Sequence, residues 1–367
     1  MAVDSPLVIP LTQTAIVQDE NGAPKLDQKA AVPRLEPGTV LVKTTAVALN
    51  PADYKMGAAF PTPGAVVGMD YAGVVVAVHP ETVTSLGVGE AVCGMVHGSN
   101  PTSPDDGAFA EYIRVRPEMA LRVPQGGEGR VHLPMEQAAT LGVGLMTNIM
   151  ALWDSSGLSL LANPKEPAAK PLPVLVYGGS TATGTLATQL LRLSGLRPVT
   201  TCSPRNFDLV RTRGAMEALD YVNPTVVDDV RAFAGGKLKH VLDCIGDSSS
   251  AALCYATIGR TGGHYVTLEQ VSDELLKSRL AVRAKVALGY ELFGRKVALP
   301  GVYGCPAQPE KSALAARYLP ILQDLLDRGA LRTHPTQLVG GELSDVLEGL
   351  KLLKSGSVSG QKLVVVL

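Results

Sequence analysis

Aromatic side chains are scarce in this sequence, making up 4% of its 367 residues, and Trp153 is the single tryptophan. An excess of charge of one sign is also lacking, because 33 lysines and arginines are mixed with 34 aspartates and glutamates, for a net charge of −1. Proteins that bind nucleic acid rely on stacking surfaces and on a basic excess. These two shortages argue against nucleic acid, and against an anionic membrane surface, as the main partner.

Long apolar runs and paired cysteines are missing as well. The most apolar stretch, residues 65–78, is interrupted by Asp70 and two glycines, and no stretch approaches the ~20 apolar residues of a membrane span. The five cysteines show no Cys-x-x-Cys spacing, which predicts reduced thiols rather than a disulfide framework. Because the N-terminus also lacks the features of a signal peptide, we expect a cytoplasmic protein.

Residues 174–192 carry the strongest functional signal. A short apolar strand is followed by a loop of small residues, 178–184, and then by the apolar pattern of an amphipathic helix. Such a strand–turn–helix unit places a pyrophosphate at the helix N-terminus. The strict Gly-x-Gly-x-x-Gly spacing is absent, so for this string alone an ordinary strand-to-helix turn stays open.

A second strand is predicted at residues 197–203, and it ends about 20 residues after the loop, where the ribose of a dinucleotide is read. An Asp or Glu at that place would bind the 2′-hydroxyl of NAD, but this chain has Ser203, Pro204, Arg205 and Asn206. A carboxylate would repel a 2′-phosphate, whereas a hydroxyl and a guanidinium attract it. The residues therefore favour NADPH over NADH, although Arg205 taken alone is as well explained as a solvated loop charge.

Strands and helices alternate from residue 174 to about residue 268, which predicts a doubly wound parallel sheet and an α/β fold. Before this region the chain reads as β up to about residue 124, and a chain of this length is expected to form two domains. Further strands are predicted at 39–49, 70–78, 108–115, 218–222, 240–245, 262–268 and 361–367. Helices are predicted at 134–153, 206–213, 225–234, 249–258 and 343–353 and within 306–328, and 163–173 is predicted to be a surface loop.

Several strings occur in the order found in quinone-oxidoreductase-like medium-chain reductases, and the sequence resembles that superfamily from about residue 37 to its end. The matching strings are Ala-Val-Ala-Leu-Asn-Pro-Ala-Asp at 46–53, Gly-Met-Asp-Tyr-Ala-Gly at 68–73, Gly-Val-Gly-Glu-Ala-Val at 87–92, Gly-Ala-Phe-Ala-Glu-Tyr at 107–112, the glycine loop, Leu-Asp-Cys-Ile-Gly at 242–246 and the glycine pair at 262–263.

Within that superfamily, residues 177–183, 202–209, 258–260 and 262–266 most resemble the lovastatin-type enoyl reductases that act in trans with fungal highly reducing polyketide synthases. The resemblance implies a GroES-like β-rich catalytic domain at 1–150, an NADPH-binding Rossmann domain at 151–295 and a return to the catalytic domain at 296–367.

A catalytic metal is not expected. Zinc alcohol dehydrogenases of this architecture carry His in a Gly-His-Glu turn, where this chain has Met69 between Gly68 and Asp70. A thioether is a poor ligand for Zn²⁺, and the scattered histidines show no ligand spacing. Without a metal, the plausible chemistry is reduction of an activated C=C bond.

In that chemistry NADPH gives a hydride to the β-carbon of an α,β-unsaturated thioester. The resulting enolate needs an oxyanion donor and then a proton at its α-carbon. Lys55 is the leading candidate for these roles, and Tyr54 is a rival donor. Surface anchoring is the alternative for both residues, since most lysines are solvated.

The resemblance also implies a set of cofactor contacts. These residues are Ala52, Asp53, Tyr54 and Lys55 on the nicotinamide side, Thr147, Asn148 and Ile149 at the ribose and carboxamide, Ser180, Thr181, Ala182 and Thr183 at the pyrophosphate, Ser203, Pro204, Arg205 and Asn206 at the 2′-phosphate, Tyr221 at the adenine ribose, Leu268 and Glu269 at the nicotinamide, and Ser359 and Gly360 from the C-terminal segment. For an apolar acyl tunnel the candidates are Leu145, Met146, Phe293 and Tyr303, with core packing as an equal alternative for each.

Three functions are compatible with the sequence. The favoured one is an NADPH-dependent enoyl reductase that acts as a monomer on polyketide chains held by an acyl carrier protein. The alternatives are a free-standing quinone or enone reductase and a nucleotide-binding protein without catalysis. Neither nucleic acid nor a membrane is an expected partner.

Overall fold

The computed structural model of the chain describes residues 9–127 and 131–367. Their contacts divide the chain into two compact units. The first comprises the described residues up to Gly142 together with Pro335–Val358 and Lys362–Leu367, and the second comprises Val143–His334 and Ser359–Gln361. Residue 296, the predicted start of the return to the first domain, thus lies inside the second unit, and the chain returns at Pro335.

The strands in chain order are β1 (Thr12–Gln18), β2 (Pro24–Ala31), β3 (Val40–Ala48), β4 (Asp70–Val78), β5 (Ala91–Met95), β6 (Tyr112–Val115), β7 (Ala120–Arg122), β8 (Pro173–Tyr177), β9 (Arg197–Thr201), β10 (Glu217–Leu219), β11 (His240–Asp243), β12 (Gly263–Thr267), β13 (Val282–Val286), β14 (Thr336–Leu338) and β15 (Lys362–Val366). The helices are α1 (Pro51–Ala59), α2 (Met135–Ala138), α3 (Gly142–Asn148), α4 (Ala182–Leu193), α5 (Phe207–Thr212), α6 (Val226–Phe233), α7 (Ser248–Thr257), α8 (Asp273–Ser278), α9 (Pro309–Asp327) and α10 (Asp345–Lys354).

The first unit is built on β-structure. Its main sheet has the order β14-β15-β3-β4-β5-β7, with β6 paired to β3, and β1 and β2 form a separate antiparallel pair. The core of the unit packs large apolar side chains from these strands, among them Ile16, Tyr71, Ile113 and Val365. The C-terminal strand β15 lies between β14 and β3, so residues more than 300 positions apart in sequence become neighbours.

The second unit contains a six-stranded sheet in the order β10-β9-β8-β11-β12-β13, with every pair parallel. Its central strands are apolar and almost continuously buried, which is typical of parallel strands covered by helices on both faces. The predicted doubly wound parallel sheet is therefore confirmed. The carboxyl ends of β8, β9, β11 and β12 share one edge, and the loops that follow these strands carry many of the predicted cofactor residues.

Local departures from the predicted elements have physical causes. The helix predicted at 134–153 divides into α2, α3 and a π-turn at Ile149–Trp153. At the start of α3, a Cβ at Gly142 would lie 2.0 Å from the carbonyl oxygen of Gly94, so this close approach to β5 requires a glycine. The strand predicted at 218–222 ends at Leu219, so Tyr221 lies in the loop beyond it. Within the described ranges, no helix combines the length and apolarity needed to cross a membrane.

Candidate functional site

The glycine loop of the second unit joins β8 to α4. A Cβ added at Gly179 would lie 1.6 Å from Oγ1 of Thr200, and one added at Gly184 would lie 2.4 Å from the carbonyl oxygen of Gly178. Gly178 itself has φ +74°, which favours glycine. Oγ1 of Thr181 accepts a hydrogen bond from the Gly184 amide at 3.0 Å and so caps α4. The loop therefore needs small residues, and it leads into a capped helix N-terminus of the kind that binds phosphate.

The 2′-phosphate candidates lie in the loop after β9. Pro204 and Arg205 are exposed in a short 3₁₀ turn, and Ser203 before them is half-buried. The hydroxyls of Ser203 and Tyr221 lie 3.4 Å apart, so a candidate for the 2′-phosphate adjoins the candidate for the adenine ribose. Tyr221 is exposed at its ring and packs near Tyr177, with ring centroids 6.2 Å apart.

Asn206, the last candidate in this loop, is buried and bonds to two other candidates. Its Nδ2 donates to Oγ of Ser180 at 3.2 Å and to Oγ of Ser359 at 3.0 Å. Gly360 lies beside it with φ +67°, and a Cβ there would be 2.8 Å from Oδ1 of Asn206. The glycine loop, the loop after β9 and the C-terminal segment, which the resemblance assigned to one cofactor site, thus meet at the Asn206 amide.

Sequence reasoning missed a buried carboxylate that shapes the next loop. Asp243, at the end of β11, accepts hydrogen bonds from the backbone amides of Ile245 and Gly246, both at 3.0 Å, and from the hydroxyls of Ser250 and Tyr265. Burial raises the pKa of the Asp243 carboxyl, and these donors oppose that rise. The Leu-Asp-Cys-Ile-Gly string was the available signal, although the string gave no role for its aspartate.

The three candidates at the end of α3 have little or no exposed surface. Asn148 donates from Nδ2 to the carbonyl oxygens of Gly144 at 2.8 Å and Thr183 at 3.1 Å, so it connects α3 to the first turn of α4. Thr147 and Ile149 are also buried. Among the three, only Asn148 has a side-chain hydrogen bond to the glycine loop, and its Oδ1 is a buried oxygen without a partner among the described residues.

The substrate candidates fall into two groups. Leu145 and Met146 have no exposed surface, which is the position of core side chains. Phe293 and Tyr303 are half-buried, and the Tyr303 hydroxyl donates to Oε2 of Glu269 at 3.1 Å. A hydrogen bond therefore joins the segment around residue 303 to the candidate nicotinamide loop of Leu268 and Glu269.

In the first unit, the candidates at 52–55 lie on α1. Asn50 caps this helix in a reciprocal capping box with Asp53, and Pro51 takes the first helical position, where its missing amide hydrogen costs nothing. Lys55 is exposed on the helix surface, and Tyr54 and Ala52 are half-buried. The Asp53 side chain is turned into the protein, where Oδ2 accepts from the Asn50 amide at 2.7 Å.

A buried polar cluster holds the start of α1, and sequence reasoning had not found it. We call Asn50, Asp53, Asp70 and Lys362 the α1 cluster. Lys362 Nζ donates to Oδ2 of Asp70 at 2.9 Å and to Oδ1 of Asn50, and Asn50 Nδ2 donates to the same Asp70 oxygen at 2.9 Å. The side chains of Lys362 and Asp70 are 7% and 0% exposed.

Asp53 has a perturbed acidity within the α1 cluster. The pKa of its carboxyl is raised to about 7, mainly by burial and to a smaller extent by the neighbouring Asp70 charge, while hydrogen bonds from Asn50 and the charge of Lys362 lower it. Its Oδ1 is buried and has no hydrogen-bond partner among the described residues.

Met69 stands at the position of the zinc-binding histidine and directly precedes Asp70 in the sequence. Its side chain is buried. Within residues 9–127 and 131–367, no three His, Cys, Asp or Glu side chains gather as a metal site would require. Asp70 of the same turn is held by Asn50 and Lys362, as described above.

Known proteins resemble this chain along its whole length. Residues 36–125 match the family model of the alcohol dehydrogenase GroES-like domain. The trans-enoyl reductase TwmE of Talaromyces wortmannii is 47% identical over 368 residues, which cover 99% of this chain and 100% of the relative. The trans-enoyl reductase ccsC of Aspergillus clavatus is 43% identical over 369 residues, with 100% and 99% covered.

Solved structures share the fold at lower identity. A putative zinc-dependent alcohol dehydrogenase from Rhizobium etli superposes with a TM-score of 0.76 at 24% identity, covering 96% of this chain and 98% of that protein. The CurK enoyl reductase superposes with a TM-score of 0.72 at 16% identity, covering 97% and 99%. These likenesses confirm the predicted GroES-like domain combined with a Rossmann sheet.

The predicted family is confirmed by the sequence relatives, because identities of 42–47% extend over nearly the full length of both chains. The chain therefore belongs to the trans-enoyl reductase family and is an oxidoreductase of the enoyl reductase type.

Proposed function

We propose that this chain is an NADPH-dependent enoyl reductase that works in trans with a polyketide synthase and reduces the α,β-double bond of acyl chains held on the acyl carrier protein. The observation that carries the proposal is the full-length identity to fungal trans-enoyl reductases. Action as a monomer and a cytoplasmic location are further parts of the proposal; the first comes from the resemblance to the lovastatin-type reductases and the second from the sequence.

The residues of the second unit fit a dinucleotide. The glycine loop leaves space that a Cβ would fill, and α4 offers a capped N-terminus to a pyrophosphate. The exposed guanidinium of Arg205 and the hydroxyls of Ser203 and Tyr221 suit a 2′-phosphate. NADPH held there would supply the hydride that the β-carbon of the substrate receives.

Lys55 is the residue of the first unit that we assign to the chemistry. Its exposed ammonium is a donor for the enolate oxygen and a proton source for the α-carbon. The α1 cluster fixes the helix that carries it, because Asn50 caps that helix and is itself held by Asp70 and Lys362. Tyr54, one residue earlier on the same helix, is the second candidate donor.

Absorbance of NADPH tests the proposal directly, with an α,β-enoyl pantetheine thioester as substrate and a simple quinone as the comparison. We expect the wild-type chain to reduce the thioester and to leave the quinone unchanged. Turnover of the quinone alone would instead identify a free-standing quinone reductase. Binding of NADPH without turnover of either compound, or of a carrier-bound thioester, would identify a non-catalytic protein.

Lys55→Ala tests the catalytic assignment. Removal of an oxyanion donor is expected to lower kcat by about 10²–10³-fold. Lys43→Ala is the matched control, because Lys43 is an exposed lysine of the same unit on β3 and is assigned no role. Equal activity of the two variants would remove Lys55 from the mechanism and leave Tyr54→Phe as the next variant to measure.

A further inference from the structure

Asn206 brings together three segments of the second unit. It follows β9 in the loop of the 2′-phosphate candidates, and its amide reaches Ser180 of the glycine loop and Ser359 of the returning C-terminal segment. The side chain is 8% exposed, which leaves it little contact with anything but these protein neighbours. The role of Asn206 must therefore be sought in what it does to the two serines.

The hydrogen-bonding capacity of the amide excludes a direct bond to phosphate. A primary amide nitrogen carries two hydrogens, and both are committed, one to Oγ of Ser180 at 3.2 Å and one to Oγ of Ser359 at 3.0 Å. The remaining polar atom, Oδ1, only accepts, and it is covered by Gly360. Since phosphate oxygens also only accept, Asn206 has no donor left for them.

The hydroxyls of Ser180 and Ser359, unlike the Asn206 amide, still have hydrogens to donate to a phosphate. Each hydroxyl oxygen accepts a hydrogen from Asn206, so the hydrogen of each hydroxyl is directed to another acceptor. Both hydroxyls lie within hydrogen-bond reach of one nitrogen, and both residues are half-buried rather than enclosed. The pair is thus placed to donate two hydrogen bonds to a single anionic group.

The place of this pair points to one phosphate of the cofactor. Asn206 lies with Ser203 and Arg205 in the loop that follows the second strand of the nucleotide-binding unit, where the 2′ position of the ribose is read. We propose that Asn206 is a positioning residue that orients the Ser180 and Ser359 hydroxyls as donors to the 2′-phosphate of NADPH, and so sets the preference for NADPH without touching it. This inference rests on the proposed function.

Binding of NADPH and of NADH, measured separately by titration of each purified protein, tests the inference without any turnover. We expect Ser180→Ala and Ser359→Ala each to raise the Kd for NADPH about tenfold, because each loses a hydrogen bond to a charged group. The Kd for NADH is expected to stay within about twofold. Ser357→Ala is the matched control, since that nearby serine is exposed and bonds to Ser355.

Asn206→Ala and Asn206→Asp test the positioning role. The alanine variant is expected to weaken NADPH binding at least as much as either serine variant and to spare NADH. The aspartate variant is expected to weaken NADPH binding further, because its carboxylate takes the serine hydrogens and repels the phosphate. Circular dichroism checks that each variant is folded, and the serine variants keep the test decisive where Asn206→Ala does not fold.

Two results would overturn the inference alone. One is equal weakening of NADPH and NADH in the serine variants, which would assign the hydroxyls to the pyrophosphate or to loop stability. The other is loss of NADPH binding in Asn206→Ala with unchanged binding in both serine variants. A wild-type chain that binds neither cofactor would overturn the proposed function, and the inference with it.

Discussion

Replacing Lys362 by methionine should destabilise the first unit more than the same replacement at any other lysine of that unit. Lys362 reaches its partners from β15, near the C-terminus, while Asp70 opens β4 and Asn50 precedes α1. Methionine keeps the length and the apolar stem of the side chain but removes the ammonium. The fully buried Asp70 carboxylate would then lose its cationic partner.

The expected magnitude follows from burial. Breaking a buried ion pair by removing one member costs about 3–5 kcal/mol, because the remaining charge is left uncompensated away from water. The value expected for Lys362→Met lies at the lower end of this range, since Asn50 Nδ2 still donates to Asp70 at 2.9 Å. We therefore expect a loss of about 3 kcal/mol in the free energy of unfolding.

Urea unfolding followed by circular dichroism measures this loss at neutral pH. Lys351→Met is the control, because Lys351 pairs with Glu348 at 3.4 Å on the surface of α10, with both side chains largely exposed. Such exposed pairs contribute about 0.2–1 kcal/mol. The double variant Asp70→Asn/Lys362→Met removes both charges and is expected to be more stable than Lys362→Met alone, since a buried amide costs less than a buried carboxylate that has lost its cation.

Two results would contradict this prediction: a Lys362→Met variant that is destabilised no more than Lys351→Met, or a double variant in which Asp70→Asn restores no stability. Either result would mean that the α1 cluster exchanges its ion pair for water at little cost. A normal stability combined with a large loss of kcat would assign Lys362 a role in the chemistry instead.

Three further predictions concern single positions. Because burial raises the pKa of Asp53 to about 7, the native chain keeps a proton on this carboxyl that the unfolded chain releases near the ordinary aspartate pKa. The free energy of unfolding, measured in urea and compared with that of Asp53→Asn, should therefore fall by up to about 1.4 kcal/mol per pH unit as pH rises from about 4 to about 7. The same pH dependence in both proteins would contradict this. Gly179→Ala should raise the Kd for NADPH at least tenfold, roughly 1.4 kcal/mol, because the added Cβ would lie 1.6 Å from the Thr200 hydroxyl oxygen. Gly87→Ala is the control and should leave the Kd unchanged, because a Cβ added there would have no described neighbour within 4 Å. Thr181→Ala should cost about 1 kcal/mol of unfolding free energy through loss of the α4 cap, with Thr181→Ser close to wild type, and equal losses in both would refute the capping role.

Much of the second unit could be predicted from sequence because its signals are local. Apolar runs of four or five residues, followed by glycine or polar turns and amphipathic stretches, give the order of strands and helices. Strand β4, predicted at 70–78, has those bounds in the structure. The loop after β8 was also recognisable, since its glycines and hydroxyls stand in consecutive positions.

Other features could not be predicted because they depend on contacts between distant residues. The β1–β2 pair and helix α1 were not predicted individually, and the predicted helix at 134–153 is interrupted where Gly142 meets the backbone of Gly94. The burial of the Asp53 carboxyl and its hydrogen bond from the Asn50 amide were not predicted either.

The sequence by itself determined the family, the alternation that gives a parallel sheet, and the loop chemistry suited to a phosphorylated dinucleotide. Only the tertiary structure decided which polar groups meet: Lys362 with Asp70 and Asn50, and Asn206 with Ser180 and Ser359. The physical reason is that periodicity and turn residues record local backbone preferences. A hydrogen bond between residues tens to hundreds of positions apart leaves no local pattern and appears only when the folded chain brings the two residues together.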